Sequence, residues 1–331
     1  MWILLLSTFL ILVQDGVEIH AAPPSSSPSS VVTRCPSNSF KAREPLPGRC
    51  SCSDAINHIA PHEMWVHCLG VRLDRFGLPE QLKPSLVAAE PDRLIIDQSP
   101  VPEKIDWVDL FPSDMHVRDL LIWDTPMPGD LPFAAELHSH ALHLEHSLEH
   151  VAMRGCQLSG KSPVQQLRNY TKLYTLDLSR NDIEYIPADW FDQSPLSSRS
   201  SWSSSNPDDL LPFKQLLYLF MHQNQISTLS KHAFRSLRRL VLLALSENKL
   251  QTLEPTQLPA PGSQLSVLRL SYNEIRYLPP RLFAGLSSLT RVHLDFNRLL
   301  TIRSDVWIDQ PNWLHINLLE YSGNKSLPMT I

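Results

Sequence analysis

Five segments of the chain share one pattern of leucines followed by an asparagine. They are LYTLDLSRNDI (173–183), LLYLFMHQNQI (216–226), LVLLALSENKL (240–250), LSVLRLSYNEI (265–275) and LTRVHLDFNRL (289–299), and each fits LxxLxLxxNxL. The last four begin 24 or 25 residues apart. Because a unit of this length cannot bury its apolar face alone, the pattern predicts repeats that stack into a solenoid.

Weaker copies of the pattern extend the repeat in both directions. VRDLLIWDTPM (117–127) and LEHVAMRGCQL (148–158) keep the frame, with Thr125 and Cys156 in the asparagine position. DRLIIDQSPV (92–101) fits as an earlier turn, and WLHINLLEY (313–321) fits as a degenerate last one. We therefore expect eight or nine turns between residues 69 and 327, followed by a short C-terminal end at 328–331.

Each position of the repeat has a physical role. In a short strand the side chains alternate, so Leu268 and Leu270 point inward and Arg269 points outward. The asparagine follows the strand, where its amide can bond backbone groups that the bend leaves without ladder bonds. Ten residues beyond each asparagine lies a bulky apolar side chain, and we expect these to stack along the convex side: Phe191, Phe234, Leu258, Phe283 and Trp307.

These residues resemble the extracellular leucine-rich-repeat superfamily over roughly residues 35–327. The resemblance implies an α/β repeat solenoid, a horseshoe with a parallel concave sheet and an N-terminal disulfide cap. Counting one strand for each matched turn gives about nine strands. The irregular early turns and the cap also look similar to the non-catalytic, secreted subunit of crustacean luciferin monooxygenase. That similarity implies a stabilising partner of another subunit.

The N-terminus has the features of a signal peptide. Residues 3–13 form an uncharged apolar run too short to span a bilayer, and small residues follow near a cleavage site. We assign 1–21 to the signal peptide, the alternative being a buried N-terminal helix. The Pro/Ser-rich segment 22–34 is too polar to pack and is predicted to be disordered.

Four of the five cysteines lie together, at 35, 50, 52 and 68. In an exported chain an even group of four indicates two disulfides, with three pairings open. A zinc site is disfavoured by the Cys-Ser-Cys spacing. The family resemblance implies Cys35–Cys52 and Cys50–Cys68 within a cap at 35–68. Cys156 is then the odd cysteine, either a buried thiol or a partner in an intermolecular disulfide.

Two further features interrupt or decorate the solenoid. The Ser-rich segment 194–209 is predicted to be an insertion that leaves the repeat as a mobile loop. Asn169-Tyr-Thr and Asn324-Lys-Ser are glycosylation acceptors outside the repeat's asparagine position. With only 10 glycines, the backbone is expected to adopt a positive φ seldom.

Several function classes are disfavoured. A net charge of -5 supplies no general attraction to nucleic acid, and the chain lacks the common nucleophile, phosphate-loop and zinc-protease motifs. His143, His146 and His150 would share a helical face and could bind a metal, together with His138 and His140 nearby. The repeat frame instead places residues 148–153 in a strand. We therefore predict no metal, no cofactor and no enzyme.

A repeat sheet offers a long surface for a partner. We predict a secreted binding protein that holds an extracellular protein or glycan on its concave face, with its oligomeric state open. The alternative is the ectodomain of a membrane receptor, although no segment after residues 3–13 reaches the roughly 18 apolar residues that a membrane span needs. Outward strand positions rich in aromatic and basic residues mark the predicted binding face. They are Trp123, Tyr218, Phe220, His222, Arg269, Tyr272, Arg291, His293 and Phe296.

Overall fold

The computed structural model describes residues 49–54, 64–72, 90–99, 116–126, 147–159, 164, 167, 170, 172–191, 213–310 and 317–319. The signal peptide, the Pro/Ser-rich segment, Cys35, the histidines from 138 to 146, the insertion at 194–209 and both glycosylation acceptors lie outside these residues. The interpretations of those segments therefore remain predictions.

One eleven-stranded sheet runs through the described part of the chain. In spatial order its strands are β1 (Arg49–Asp54), β2 (Met64–Leu69), β3 (Arg93–Asp97), β4 (Asp119–Trp123), β5 (His150–Arg154), β6 (Thr175–Asp177), β8 (Tyr218–Phe220), β10 (Leu242–Ala244), β11 (Val267–Arg269), β12 (Arg291–His293) and β13 (Asn317–Leu319). β7 (Tyr185–Ile186) and β9 (Thr228–Leu229) form a second, two-stranded sheet. β1 is antiparallel to β2, and each later strand of the large sheet is parallel to its neighbour.

The predicted alternation and register are confirmed. Leu219, Leu243, Leu268 and Val292 lie opposite one another on successive strands, and all four are completely buried. They belong to one continuous core that reaches from Val66 to Val306. Each repeat thus closes its apolar side against the next, and the fold is a leucine-rich-repeat solenoid with a parallel sheet.

The sheet begins earlier than the cap boundary at residue 68 suggests. β2 pairs in parallel with β3 and places Val66 and Cys68 beside Leu94 and Ile96 in the core. The sequence pattern missed this strand because a cysteine occupies a leucine position. The expectation of about nine strands was therefore too low.

Turns and short 3-10 helices form the described connections on the opposite side. The 3-10 helices are Ala188–Trp190, Pro255–Gln257 and Ser304–Trp307. The predicted stack of bulky residues is confirmed here: the rings of Phe191 and Phe234 have centroids 5.7 Å apart, and those of Phe283 and Trp307 are 4.9 Å apart. Leu258 is buried in the same row. These side chains fill the space under the outer wall.

The expectation of few positive φ angles was wrong. The residue before each asparagine position has a left-handed backbone, whether or not it is a glycine. The series is Gly70, Gln98, Asp124, Gly155, Arg180, Gln223, Glu247, Tyr272 and Phe296. The bend out of each strand requires this conformation, which costs an ordinary residue of order 1 kcal/mol. Hydrogen bonds of the following side chain hold the bend in place.

The cap contributes one disulfide to the described structure. Cys50 on β1 is bonded to Cys68 on β2, and these residues are also opposite one another in the antiparallel ladder. The bond therefore fixes the first strand onto the end of the repeat sheet. This pairing is one of the two that the resemblance implied. The other, Cys35–Cys52, remains a prediction because Cys35 lies outside the described residues.

Candidate binding face

Buried asparagines hold the strands of the candidate face in register. The Nδ2 atom of Asn248 donates to the carbonyls of Met221, Leu245 and Ser246 at 3.0 to 3.1 Å. Its Oδ1 atom accepts a hydrogen bond from the backbone N–H of Ile226 at 3.0 Å. Asn181, Asn224, Asn273 and Asn297 repeat the pattern of donors. The predicted role of this position is confirmed.

Other side chains fill the same position in the earlier turns. The thiol of Cys156 donates to the carbonyl oxygens of Ile122 and Arg154 at 3.4 and 3.5 Å. Thr125 Oγ1 donates to the carbonyl of Trp123 at 2.8 Å and accepts from the backbone N–H of Ser99 at 3.2 Å. Burial raises the pKa of the Cys156 thiol to about 12. Cys156 is thus a buried, protonated part of the ladder.

The outward positions of the large sheet form what we call the inner face. Its N-terminal cluster is Ile95, Leu121 and Ala152 with Trp123, and its C-terminal cluster is Phe220, Leu242, Ala244 and Val267 with Tyr218. Both clusters are separate from the main core. Adjacent parallel strands lie so close together that outward apolar side chains cover one another.

The expectation that Phe220 is exposed was wrong. Only 5% of its surface is accessible, and it packs with Leu242 and Val267 in the C-terminal cluster. Its cross-strand neighbour is Ala244, whose short side chain leaves room for a large ring. Phe220 is therefore a packing residue of the inner face rather than a free contact residue.

A charged network borders the N-terminal cluster. Arg93 Nε and Nη2 donate to Asp119 Oδ2 at 2.8 and 2.5 Å, and the Arg93 guanidinium lies 4.3 Å from the ring centroid of Trp65. Asp119 is almost fully buried. His67 Nε2 lies 3.4 Å from Asp97 Oδ2, and its ring meets that of Trp123 edge-on with centroids 6.5 Å apart.

Trp123 is half-buried in this region, as predicted for an inner-face residue. Its indole N–H is inaccessible to solvent and finds no hydrogen-bond acceptor among the described residues. A buried indole usually has a partner. Trp123 lies on the outward side of its strand, where the repeat pattern had placed it. The neighbouring Arg93–Asp119 pair was not predicted from the sequence.

Charged groups occupy the middle of the inner face. Arg154 Nε lies 3.6 Å from Asp177 Oδ2 on the next strand. His222 is half-buried nearby, and burial lowers its pKa below the ordinary histidine value. The charge of Asp177 opposes that shift, whereas Arg154 reinforces it. The His150 side chain, which the sequence linked to a metal, belongs to β5 as the repeat frame requires.

The remaining predicted residues lie at the C-terminal end of the inner face. Tyr272 and Phe296 stack with ring centroids 4.3 Å apart and planes 10° from parallel. Arg269 and His293 are half-buried and lie opposite each other, while Arg291 is exposed. The structure thus places two arginines and a histidine on two adjacent strands, β11 and β12, and an aromatic pair in the turns that follow these strands. Their role in binding remains a prediction.

Comparisons with known proteins agree with this geometry. A family model described as leucine rich repeat matches residues 240–299. The chain is 34% identical over 145 residues to oligodendrocyte-myelin glycoprotein of Homo sapiens, covering 41% of this chain and 30% of that protein. It is 32% identical over 163 residues to podocan-like protein 1 of Mus musculus, covering 48% of this chain and 28% of that protein. The chain thus matches less than a third of either relative's length.

Solved structures show the same fold. A chain in the Toll–Spatzle complex of Drosophila superposes with a TM-score of 0.53 at 18% identity, covering 78% of this chain and 31% of that chain. No helix of the described residues is long and apolar enough to cross a membrane. The similarity to luciferin monooxygenase subunits remains a prediction. Its repeat, its parallel sheet and these matches show that the chain has the leucine-rich-repeat fold, with residues 240–299 matching that family.

Proposed function

We propose that this chain is an extracellular, non-enzymatic protein that binds a protein partner on its inner face. The observation that carries the proposal is the C-terminal end of that face, where the exposed rings of Tyr272 and Phe296 follow the strands that hold Arg269 and Arg291. Aromatic residues and arginine carry most of the binding energy at protein interfaces. The asparagine ladder presents them from a rigid sheet, which reduces the entropy lost on binding.

The other features of the described chain support this assignment. A disulfide between Cys50 and Cys68 fits an oxidising compartment outside the cytosol. The human relative described above is itself named a glycoprotein. Ser179 and His222 follow neighbouring strands, yet no hydrogen bond joins their side chains among the described residues, so the pair lacks the geometry of an activated nucleophile.

Site-specific cross-linking tests the proposal even though the partner is unidentified. A photoreactive phenylalanine analogue is placed at Phe296 on the inner face or at Lys231, which is exposed on the connection between β9 and β10. Each secreted variant is irradiated on cells of the source organism, and adducts are identified by mass spectrometry. We expect one protein to be captured from position 296 and not from 231. Equal capture from both positions, or capture from 231 alone, would contradict the proposal.

A further inference from the structure

Arginines in the first half of the inner face are neutralised within the chain. Arg93 forms a two-atom contact with Asp119 and stacks on Trp65. Arg154 lies beside Asp177 on the next strand. In both cases the carboxylate comes from the adjacent repeat, so stacking of the repeats itself supplies the counter-charge.

Arg269 and Arg291 differ from these arginines. Among the described residues, neither guanidinium has a carboxylate within 4.0 Å or a side-chain hydrogen bond, and the Nε atom of Arg269 is inaccessible to solvent. The two residues lie on the same face of β11 and β12, where Val267 is opposite Arg291 and Arg269 is opposite His293. They are diagonal neighbours of like charge. On β10 the residue opposite Arg269 is Ala244, which cannot pair with it.

Burial and the nearby charge both act on Arg269. Burial lowers the pKa of its guanidinium, and the positive charge of Arg291 lowers it further. A half-buried cation without a counter-ion is unfavourable, because its lost hydration is not replaced. An incoming anion would remove this cost and gain a charge-assisted, two-atom hydrogen bond from the planar guanidinium.

The surroundings indicate which anion fits. The charges of Asp177, Glu247 and Arg269 all act on His222, so these two carboxylates lie within electrostatic range of the region that holds Arg269, and the whole chain has a net charge of -5. A long polyanion laid across the inner face would meet these carboxylates, whereas a single carboxylate would not. Tyr272 lies three residues after Arg269 and Phe296 lies five residues after Arg291. Their exposed, stacked rings offer an apolar surface in the same two repeats as the cations.

We propose that Arg269 and Arg291 bind an isolated aspartate or glutamate carboxylate of a partner polypeptide, whose neighbouring apolar side chain packs on Tyr272 and Phe296. This inference rests on the proposed function of the inner face. It adds the chemistry of the ligand and the residues that select it.

A selection with random peptides tests this chemistry. The full secreted chain is used to select from a phage-displayed library of random dodecapeptides, and the selected peptides are synthesised with a fluorophore for anisotropy titration. The test variant is Arg269→Gln with Arg291→Gln. The matched control is Arg235→Gln with Arg238→Gln, which removes the same charge from exposed positions between β9 and β10. Arg291→Gln alone serves if the double variant does not fold.

We expect the selected peptides to carry an acidic residue beside an apolar one. Their Kd should rise at least tenfold on the test variant and stay unchanged on the control. Replacing the acidic residue of the peptide by its amide should raise the Kd for the parent chain by the same factor. It should leave the Kd for the test variant unchanged, because both substitutions remove the same contact.

Three other results would overturn the inference, and they differ in what they say about the function. If the peptides ignore the arginine substitutions but lose affinity on Phe296→Ala, the inner face binds and the carboxylate assignment is wrong. If they ignore both, the proposed function fails as well. If a heparin octasaccharide binds through the arginines and no peptide does, the ligand is a polyanionic glycan.

Discussion

Tyr272 and Phe296 occupy equivalent positions of neighbouring repeats and stack with their ring centroids 4.3 Å apart. Each has a left-handed backbone, with φ of 55° and 52°, immediately before a buried asparagine. The hydrogen bonds of Asn273 and Asn297 therefore fix the backbone that presents the two rings. Because 51% and 42% of their surfaces remain accessible, the rings contribute little to the core.

The first prediction separates binding from folding at this pair. Tyr272→Ala and Phe296→Ala should each weaken partner binding by about 1–3 kcal/mol, as expected for exposed aromatic anchors. The melting temperature should change little, because neither ring belongs to a buried cluster. Titration of the cross-linked partner against each variant measures the effect, with Lys231→Ala as the control. Unchanged affinity in both aromatic variants would move the binding site away from this end of the sheet.

Phe220 should behave in the opposite way. Replacing it with alanine removes a buried ring, and it leaves a cavity among Leu242, Ala244 and Val267. We expect a loss of unfolding free energy of about 3 kcal/mol, the lower end for a buried phenylalanine. Urea denaturation measures it. A loss no larger than that of Tyr272→Ala would show that the inner-face cluster does not stabilise the fold.

The asparagine ladder should be among the most sensitive parts of the structure. Asn248→Ala leaves three backbone carbonyls and the N–H of Ile226 without their partner in a buried place. At about 1–3 kcal/mol for each of these four unsatisfied groups, we expect a loss of at least about 4 kcal/mol. Lys249→Ala, at the exposed next residue, is the control for denaturation experiments. Equal stability of the two variants would mean that water replaces the ladder at no cost.

Cys156 should be unreactive in the folded chain. Since burial raises its pKa to about 12, the thiol stays protonated at pH 8, and iodoacetamide should label it only after denaturation. The unfolded thiol ionises near pH 9.0, so the unfolded state loses this proton first and stability should fall as pH rises from 9 toward 12. Mass spectrometry of labelled peptides measures the reactivity of the Cys156 thiol. An intermolecular disulfide through Cys156 in the secreted protein would contradict it.

His222 should make the fold sensitive to acid. Its pKa is lowered by burial, so below pH 6.5 the unfolded state binds a proton more readily than the folded state. Stability should therefore be full above pH 6.5 and decrease as the pH falls below it. His222→Gln should reduce the fall in melting temperature between pH 7 and pH 5. An identical pH profile for parent and variant would assign the acid sensitivity to other groups.

The sequence determined the parts of this structure that depend on spacing along the chain. Alternation within a strand sent Leu219, Leu243 and Leu268 into the core, and the position after the strand identified Asn248 as a backbone ligand. The period also located the stacked rings of the outer wall, such as Phe191 and Phe234. These features repeat because every turn must bury its apolar side chains and bond the backbone groups at its bend. A single sequence therefore shows them several times.

The tertiary structure decided everything that depends on which outward side chain lies beside which. Phe220 is buried because the small Ala244 lies opposite it. The positive charge of Arg93 is balanced because the carboxylate of Asp119 lies beside it. Arg269 has Ala244 and His293 on its two sides, so its charge stays uncompensated within the described chain. Residues on adjacent repeats are far apart in sequence, and the repeat pattern constrains only the positions that face the core. The chemistry of the inner face is therefore set by contacts between repeats, since the outward positions carry no periodic requirement of their own.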